Sequence, residues 1–175
     1  MNLPNKLTML RIILIPVFVV VLYLNFPGNT LVALLIFLIA SVTDLLDGKI
    51  ARKYNLVTDF GKFLDPIADK LLVTAAMAVF VDWHWMPAWV LIVVIGREFI
   101  VSALRMVAAA NGKVIAAGMS GKVKTASTMV CICLMLLSLP QWFNLLCSAV
   151  ILITTVYSGV EYLVKNRSVL DLSNI

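Results

Sequence analysis

Charged residues are scarce in this chain. Only 13% of its 175 residues are Asp, Glu, Lys or Arg, whereas 62% are hydrophobic and the mean hydropathy is +1.04. Soluble domains carry about 25% charged residues. A chain of this length cannot bury so much apolar surface in water, so the composition excludes a soluble globular domain and predicts an integral membrane protein.

Histidine and cysteine are also rare. The single histidine, His84, lies in a loop between two tryptophans and is interpreted as an interfacial polar residue rather than a catalytic one. The three cysteines, Cys131, Cys133 and Cys147, lie in apolar segments, and their spacing fits no zinc or redox motif. Zinc-thiolate, redox and histidine-based chemistry are therefore disfavoured.

Turn-like interruptions divide the apolar sequence into six predicted helices. The predicted helices lie near residues 7–26, 31–53, 62–81, 86–109, 121–139 and 142–164. Each is about 20 residues long or slightly longer, which matches a hydrocarbon core of about 30 Å. The pattern lacks the alternating ten-residue strands of a barrel, internal repeats and low-complexity segments. The predicted fold is an all-α bundle of six transmembrane helices, forming a single membrane domain over residues 1–175.

The first residues are predicted to form a short helix along the inner interface, over residues 2–11, with Pro4 near its start. A signal peptide is the alternative, because Lys6 and Arg11 precede an apolar run over residues 12–26. No small-residue cleavage site follows that run, so we expect it to stay as the first span.

Lysine and arginine are absent from the first, third and fifth loops between the predicted helices, residues 25–30, 82–86 and 139–141. They are concentrated at the other end of the predicted bundle. This asymmetry predicts that both termini face the cytoplasm. Four tryptophans at the opposite interface agree with it: Trp83, Trp85, Trp89 and Trp142. The net charge of +5 has two explanations, positive-inside topology with anionic lipid or an anionic substrate.

Four aspartates lie at or inside the inner ends of the second and third predicted helices. Asp44 and Asp47 share a helical face with Gly48 and Ala51, and the next helix carries Gly61, Asp65 and Asp69 on one face. Helices joined by so short a connection are antiparallel neighbours, so the two acidic faces can converge. Asp44 is expected about 12 Å from the inner end of its helix.

Converging carboxylates in a low dielectric repel one another unless cations lie between them. Carboxylates without histidine or thiolate suit Mg²⁺ or Mn²⁺, and two such ions bridged by a pyrophosphate support phosphoryl transfer. The small residues on the same faces leave room for a bulky ligand. The alternative is solvation of the helix ends, or ion pairs with the nearby basic residues Arg52, Lys53, Lys62 and Lys70.

The pattern Asp44-x2-Asp47-Gly48-x2-Ala51-Arg52-x8-Gly61-x3-Asp65-x3-Asp69 resembles the signature of the CDP-alcohol phosphatidyltransferase family. The resemblance implies a six-helix membrane enzyme, often dimeric, that displaces CMP from a CDP-linked lipid or alcohol with a second alcohol. It implies that the four aspartates bind two Mg²⁺ or Mn²⁺ ions and that Asp69 is the catalytic base. It also implies that Gly48, Ala51 and Gly61 make room for the cytidine diphosphate and that Arg52 reaches the diphosphate, unless Arg52 is a membrane anchor.

Three further segments, at 1–11, 96–105 and 120–126, resemble members that use sn-glycerol 3-phosphate. The expected reaction transfers the phosphatidyl group from CDP-diacylglycerol to that acceptor, in a bacterial inner membrane and with a cytoplasmic site. Serine, inositol or inositol phosphate are alternative acceptors. A divalent-cation transporter is a further alternative, but the outer halves of the spans show no ionisable path. No nucleic-acid partner is expected.

A dianionic acceptor phosphate needs cationic partners. The candidates are Arg105, Lys122 and Lys124, with Arg97 as a fourth. The alternative for this set is positive-inside charge together with a structural Arg97–Glu98 pair. Three polar residues near the start, Asn5, Thr8 and Arg11, either contact CDP-diacylglycerol or form the polar face of an interfacial helix.

Overall fold

The computed structural model describes residues 3–24, 26–53, 59–110, 112, 115–116 and 118–167, without the side chains of residues 3–5, 45–53, 59–60, 62–63 and 65–66. The described residues form six α-helices and no β-strand. The helices are α1 (Leu3–Tyr23), α2 (Asn29–Lys53), α3 (Asp59–Asp82), α4 (Ala88–Ala110), α5 (Met119–Leu136) and α6 (Gln141–Lys165). The predicted all-α fold is confirmed, and each predicted helix has its counterpart.

The N-terminal segment differs from the prediction. Residues 3–11 were predicted to belong to a separate interfacial helix, but they form the first turns of the continuous helix α1. No glycine or proline interrupts the chain between Pro4 and Pro16. Pro4 lies in the first turn, where a missing N–H costs no helical hydrogen bond. The separate helix is therefore corrected to a continuation of the first span.

The helices expose many large apolar side chains and bury several polar ones. On α6, Ser148, Thr155 and Ser158 are buried, whereas Ile153 is 65% exposed and Val160 is 56% exposed. This is the reverse of a soluble helix and is what lipid as the surrounding solvent requires. Among the residues that the structure describes, three segments are long and apolar enough to cross a membrane: Lys6–Tyr23, Met119–Leu136 and Gln141–Lys165. The chain is thus a helical membrane protein, and the number of six spans stays a prediction.

The described turns follow from local chemistry. Gly28 has a φ of +84°, a backbone conformation that glycine adopts without strain, and it links α1 to α2. The side chain of Asn29 donates from Nδ2 to the Leu22 carbonyl at 2.8 Å and accepts the Thr30 N–H at 2.9 Å. Asn29 therefore satisfies groups at the end of α1 and the start of α2, which closes the connection between them.

Contacts divide the chain into two units. The first unit contains α1, α2, α3 and Ile132–Leu139, and in it α1 packs against both α2 and α3. The aromatic rings of Phe18 and Phe37 meet in its core, with their centroids 6.0 Å apart. A single domain over residues 1–175 stays a prediction.

The second unit contains α4, α5 as far as Cys131, and α6, and in it α4 packs against α6. Its core includes the buried residues Val101, Leu104 and Tyr162, against which Ile115 and Leu163 pack.

Candidate active site

The first unit places two of the four aspartates in described positions. Asp44 lies on α2 with its side chain 28% exposed, and Asp69 lies on α3, half-buried beside the fully buried Ala68. Gly61, earlier on α3, is buried. The helices that carry the two aspartates contact each other, as their short connection predicted.

Arg11 is joined to the first of these aspartates. Its side chain is 0% exposed, and its Nη1 lies 2.7 Å from Asp44 Oδ1. Its Nε donates a hydrogen bond to the carbonyl oxygen of Ala40, 3.3 Å away and one turn before Asp44 on α2. An ion pair with a buried guanidinium restricts the carboxylate's orientation. Thr8, three residues before Arg11 on α1, is also buried, at 1% exposure.

Six of the predicted site residues lie outside the described side chains: Asn5, Asp47, Gly48, Ala51, Arg52 and Asp65. The backbone of α2 and α3 is helical through residues 44–53 and 61–69, so the helical spacing assumed for the aspartate pattern is confirmed. Within the described residues, no group of three potential metal ligands occurs. Two of the four aspartates, Asp47 and Asp65, lie outside the described side chains, and the metal site therefore stays a prediction.

The donor set itself fits a hard divalent cation. Aspartate supplies carboxylate oxygens, the ligands that Mg²⁺ and Mn²⁺ prefer. Asp44 keeps 28% of its side chain accessible although Arg11 binds one of its oxygens. A partly accessible carboxylate that is oriented by a buried cation is suited to a metal ligand that must keep its orientation.

The second unit holds a cluster of three largely covered charges on α4 and α5, of which Lys124 is buried. Glu98 Oε1 accepts hydrogen bonds from Arg97 Nη1 at 2.9 Å and from Lys124 Nζ at 2.7 Å. The side chains of Arg97, Glu98 and Lys124 are only 13%, 21% and 7% exposed. Two cations thus share one carboxylate oxygen, and the cluster carries an excess of positive charge that can bind an anion.

Two contacts from α6 reach the arginines of α4. Ser158 accepts a hydrogen bond from Arg97 Nη2 at 2.7 Å. The Tyr162 hydroxyl accepts one from Arg105 Nε at 3.1 Å, and the Arg105 guanidinium carbon lies 5.6 Å from the Tyr162 ring centroid, within cation–π range.

Of the predicted phosphate-binding residues, the structure brings Arg97 and Lys124 together on Glu98 and places Arg105 on Tyr162. The Arg97–Glu98 pair was the alternative explanation, and it is present as part of the larger cluster. Lys122 is exposed, two residues from the buried Lys124 and therefore on another side of α5.

The sequence analysis missed Ser158 and Tyr162. The signal available was the spacing of polar residues on α6, where buried Asn144, Ser148, Thr155 and Ser158 follow one face of an apolar helix. A polar stripe in such a helix indicates contacts inside the protein. The sequence alone does not show which residues of other helices the polar face of α6 contacts.

Comparison with known proteins agrees with the pattern of the aspartates. The family model described as CDP-alcohol phosphatidyltransferase matches residues 1–159. The chain is 46% identical to a Bacillus subtilis protein named CDP-diacylglycerol--glycerol-3-phosphate 3-phosphatidyltransferase, over 99% of both chains. Proteins of the same name from Salmonella paratyphi A (43% identical, 95% of both chains) and Shigella flexneri (42% identical, 95% of this chain and 96% of the relative) are also similar. The chain belongs to the CDP-alcohol phosphatidyltransferase family.

Proposed function

We propose that this protein transfers the phosphatidyl group of CDP-diacylglycerol to sn-glycerol 3-phosphate, forming phosphatidylglycerophosphate and CMP. The observation that carries the proposal is similarity over nearly the full length to relatives named for this reaction. The cationic cluster of α4 and α5 supports a phosphorylated acceptor, because inositol has no anionic group and serine has only a singly charged carboxylate beside an ammonium group.

Asp44, Asp47, Asp65 and Asp69 would hold two divalent cations, Mg²⁺ or Mn²⁺. When bound, these cations neutralise charge on the diphosphate of CDP-diacylglycerol and on the departing CMP. The ion pair of Arg11 with Asp44 supports an arrangement in which Arg11 keeps the first of these ligands oriented.

Asp69 takes the proton from the acceptor hydroxyl as that oxygen attacks the phosphorus bonded to diacylglycerol. The new bond joins the acceptor oxygen to this phosphorus, and the bond from the phosphorus to the bridging oxygen breaks. CMP leaves with the electron pair of that bond. Such a displacement depends on positioning and electrostatics and needs no covalent enzyme intermediate.

The remaining residues of the aspartate pattern bind CDP-diacylglycerol. Gly48, Ala51 and Gly61 leave space for the cytidine diphosphate, and Arg52 binds its diphosphate. The burial of Gly61 on α3 supports a position where a side chain would intrude. Asn5 and Thr8, with Arg11, belong to the same part of α1, and the burial of Thr8 and Arg11 supports an internal role rather than an interfacial helix face.

The acceptor phosphate is bound by cationic side chains of the second unit. Arg97, Lys124 and Arg105 form the core of this site, and the exposed Lys122 attracts the anion from water. The planar guanidinium groups donate to two phosphate oxygens at once, whereas the ammonium groups act as point charges.

The membrane setting follows from the charge asymmetry and the family. The protein crosses a bacterial inner membrane several times, with its termini and active site on the cytoplasmic side. It acts as a homodimer and binds no nucleic acid.

The testing experiment measures CMP release from CDP-diacylglycerol by the purified protein with Mg²⁺ or Mn²⁺. The acceptors compared are sn-glycerol 3-phosphate, serine, inositol and inositol phosphate. We expect release that depends on both the metal and glycerol 3-phosphate. Release with another acceptor would contradict the assigned substrate but keep the aspartate mechanism. No metal-dependent release with any acceptor would contradict the proposed function.

A further inference from the structure

We infer that α6 is a positioning element for acceptor recognition, in which Ser158 and Tyr162 hold the two arginines of α4 that bind the acceptor phosphate. This inference rests on the proposed function, since it assigns a role within that phosphate site. Neither residue carries a charge or belongs to the aspartate pattern.

The geometry of the contacts carries the argument. Ser158 and Tyr162 are four residues apart and lie on one face of α6, the face that packs against α4. Each meets a different arginine: Ser158 binds Arg97 Nη2 at 2.7 Å, and Tyr162 binds Arg105 Nε at 3.1 Å. Contacts at two successive turns of one helix fix two long side chains relative to the same backbone.

Burial makes both contacts rigid. Ser158 is 1% exposed, and Tyr162 is 7% exposed and packs against Val101 and Leu104 of α4. Arg105 itself is exposed, and the packed ring gives its guanidinium a fixed partner. Part of the entropy of ordering Arg105 is therefore lost on folding rather than on substrate binding, which lowers the cost of binding the anion.

The stem of Arg97 is confined as well. A Cβ added at Gly159 of α6 would come within 3.2 Å of Arg97 Cγ, and one added at Gly121 of α5 would come within 3.7 Å of Arg97 Nη2. Both helix backbones thus approach Arg97 closely. Glu98 and Ser158 bind different guanidinium nitrogens, Nη1 and Nη2, so the orientation of the fork is set from two sides.

The test compares variants that remove single hydroxyl groups. Ser158→Ala and Tyr162→Phe are purified, and KM for sn-glycerol 3-phosphate and kcat are measured together with the inhibition constant of inorganic phosphate. We expect KM and the inhibition constant to rise by roughly 3- to 10-fold for each variant, because each loses a hydrogen bond to a charged group. We expect kcat at saturating acceptor to stay near that of the unmodified protein.

Matched controls lie on the same helix. Ser148→Ala removes a buried hydroxyl that donates to its own helix, to the Asn144 carbonyl, and Tyr157→Phe removes the hydroxyl of a tyrosine that is 66% exposed. Both controls should change KM by less than about 2-fold. Equal effects in the controls and in the test variants would overturn the inference, because they would show a general response of α6.

A double-mutant cycle of Tyr162 and Arg105 tests the assignment of Tyr162 more directly than the single variants do. With Arg105→Met in place, adding Tyr162→Phe should raise KM no further, because the arginine that the hydroxyl positions is gone. Independent, multiplicative effects on KM would overturn the assignment of Tyr162. Wild-type protein that releases CMP without glycerol 3-phosphate would contradict the proposed function. Normal dependence on glycerol 3-phosphate with unchanged KM in both hydroxyl variants would overturn only the role of α6.

Discussion

In the first unit, the buried Arg11 meets one described carboxylate, Asp44, whereas in the second unit Arg97 and Lys124 share one oxygen of Glu98. The first arrangement pairs a cation of α1 with an acid of α2, and α2 and α3 together carry the three further aspartates of the pattern. The second leaves an excess positive charge. An acidic pattern attracts cations and an excess of positive charge attracts an anion, so we propose that the first region binds the metal ions of the diphosphate and the second binds the acceptor phosphate.

Among these predictions, replacing an aspartate of the pattern should cause the largest loss of activity. Asp44→Asn and Asp69→Asn should each lower kcat by about 100-fold or more, because bound metal contributes several kcal/mol of charge stabilisation and tenfold in rate is about 1.4 kcal/mol. CMP release measures this. Asp82→Asn is the matched control, on α3 but at its other end, where the carboxylate accepts a hydrogen bond from Tyr23 at 2.9 Å. A similar loss for Asp82→Asn would contradict the specific role.

Removing the cation of the first unit should cost both stability and metal binding. Arg11→Met leaves Asp44 charged beside a buried apolar side chain, and we expect the free energy of unfolding to fall by about 3 kcal/mol. Denaturation in mixed micelles measures the loss. The concentration of Mn²⁺ required for half-maximal activity should rise as well, since Asp44 loses its fixed orientation. An unchanged Mn²⁺ requirement would leave Arg11 with a purely structural role.

The two lysines of α5 test the charge excess of the second unit. Lys124→Met should raise KM for sn-glycerol 3-phosphate by about 10-fold, because a buried cation next to the anion is lost while Glu98 keeps its bond to Arg97. Lys122→Met should have a smaller effect, since its charge is exposed and screened by salt. A larger effect at Lys122 than at Lys124 would place the acceptor phosphate elsewhere.

The smallest expected effect on KM comes from replacing glycines that lie close to Arg97. Gly159→Ala should raise KM for the acceptor by roughly 2- to 3-fold, because the new methyl group would lie 3.2 Å from Arg97 Cγ and displace that side chain slightly. Gly121→Ala should leave KM unchanged, because its methyl group would lie at an ordinary distance of 3.7 Å from Arg97 Nη2. Equal KM values for both variants would show that the position of Arg97 tolerates such shifts.

Much of the fold was predictable because its causes are local. Apolar runs interrupted by turn residues located all six helices, since hydrophobicity and backbone propensity act over neighbouring residues. The separate helix over residues 2–11 was the error. Its polar residues suggested an interfacial surface, but Thr8 and Arg11 are buried in the first unit, where Arg11 finds a carboxylate. The ion pair between Arg11 and Asp44 therefore had more influence on this segment than its local amphipathic pattern.

The sequence by itself determined the membrane class, the helices, and the aspartate pattern that indicates the family, because each depends on composition or on spacing along one helix. Only the tertiary structure decided which partners hold the charged side chains. Arg97 binds Ser158, 61 residues away, and Arg105 binds Tyr162, 57 residues away. A long side chain contacts the helix that packs beside its own helix. The choice of that neighbouring helix depends on how whole helix faces pack together, and not on the residues adjacent to the side chain in the sequence.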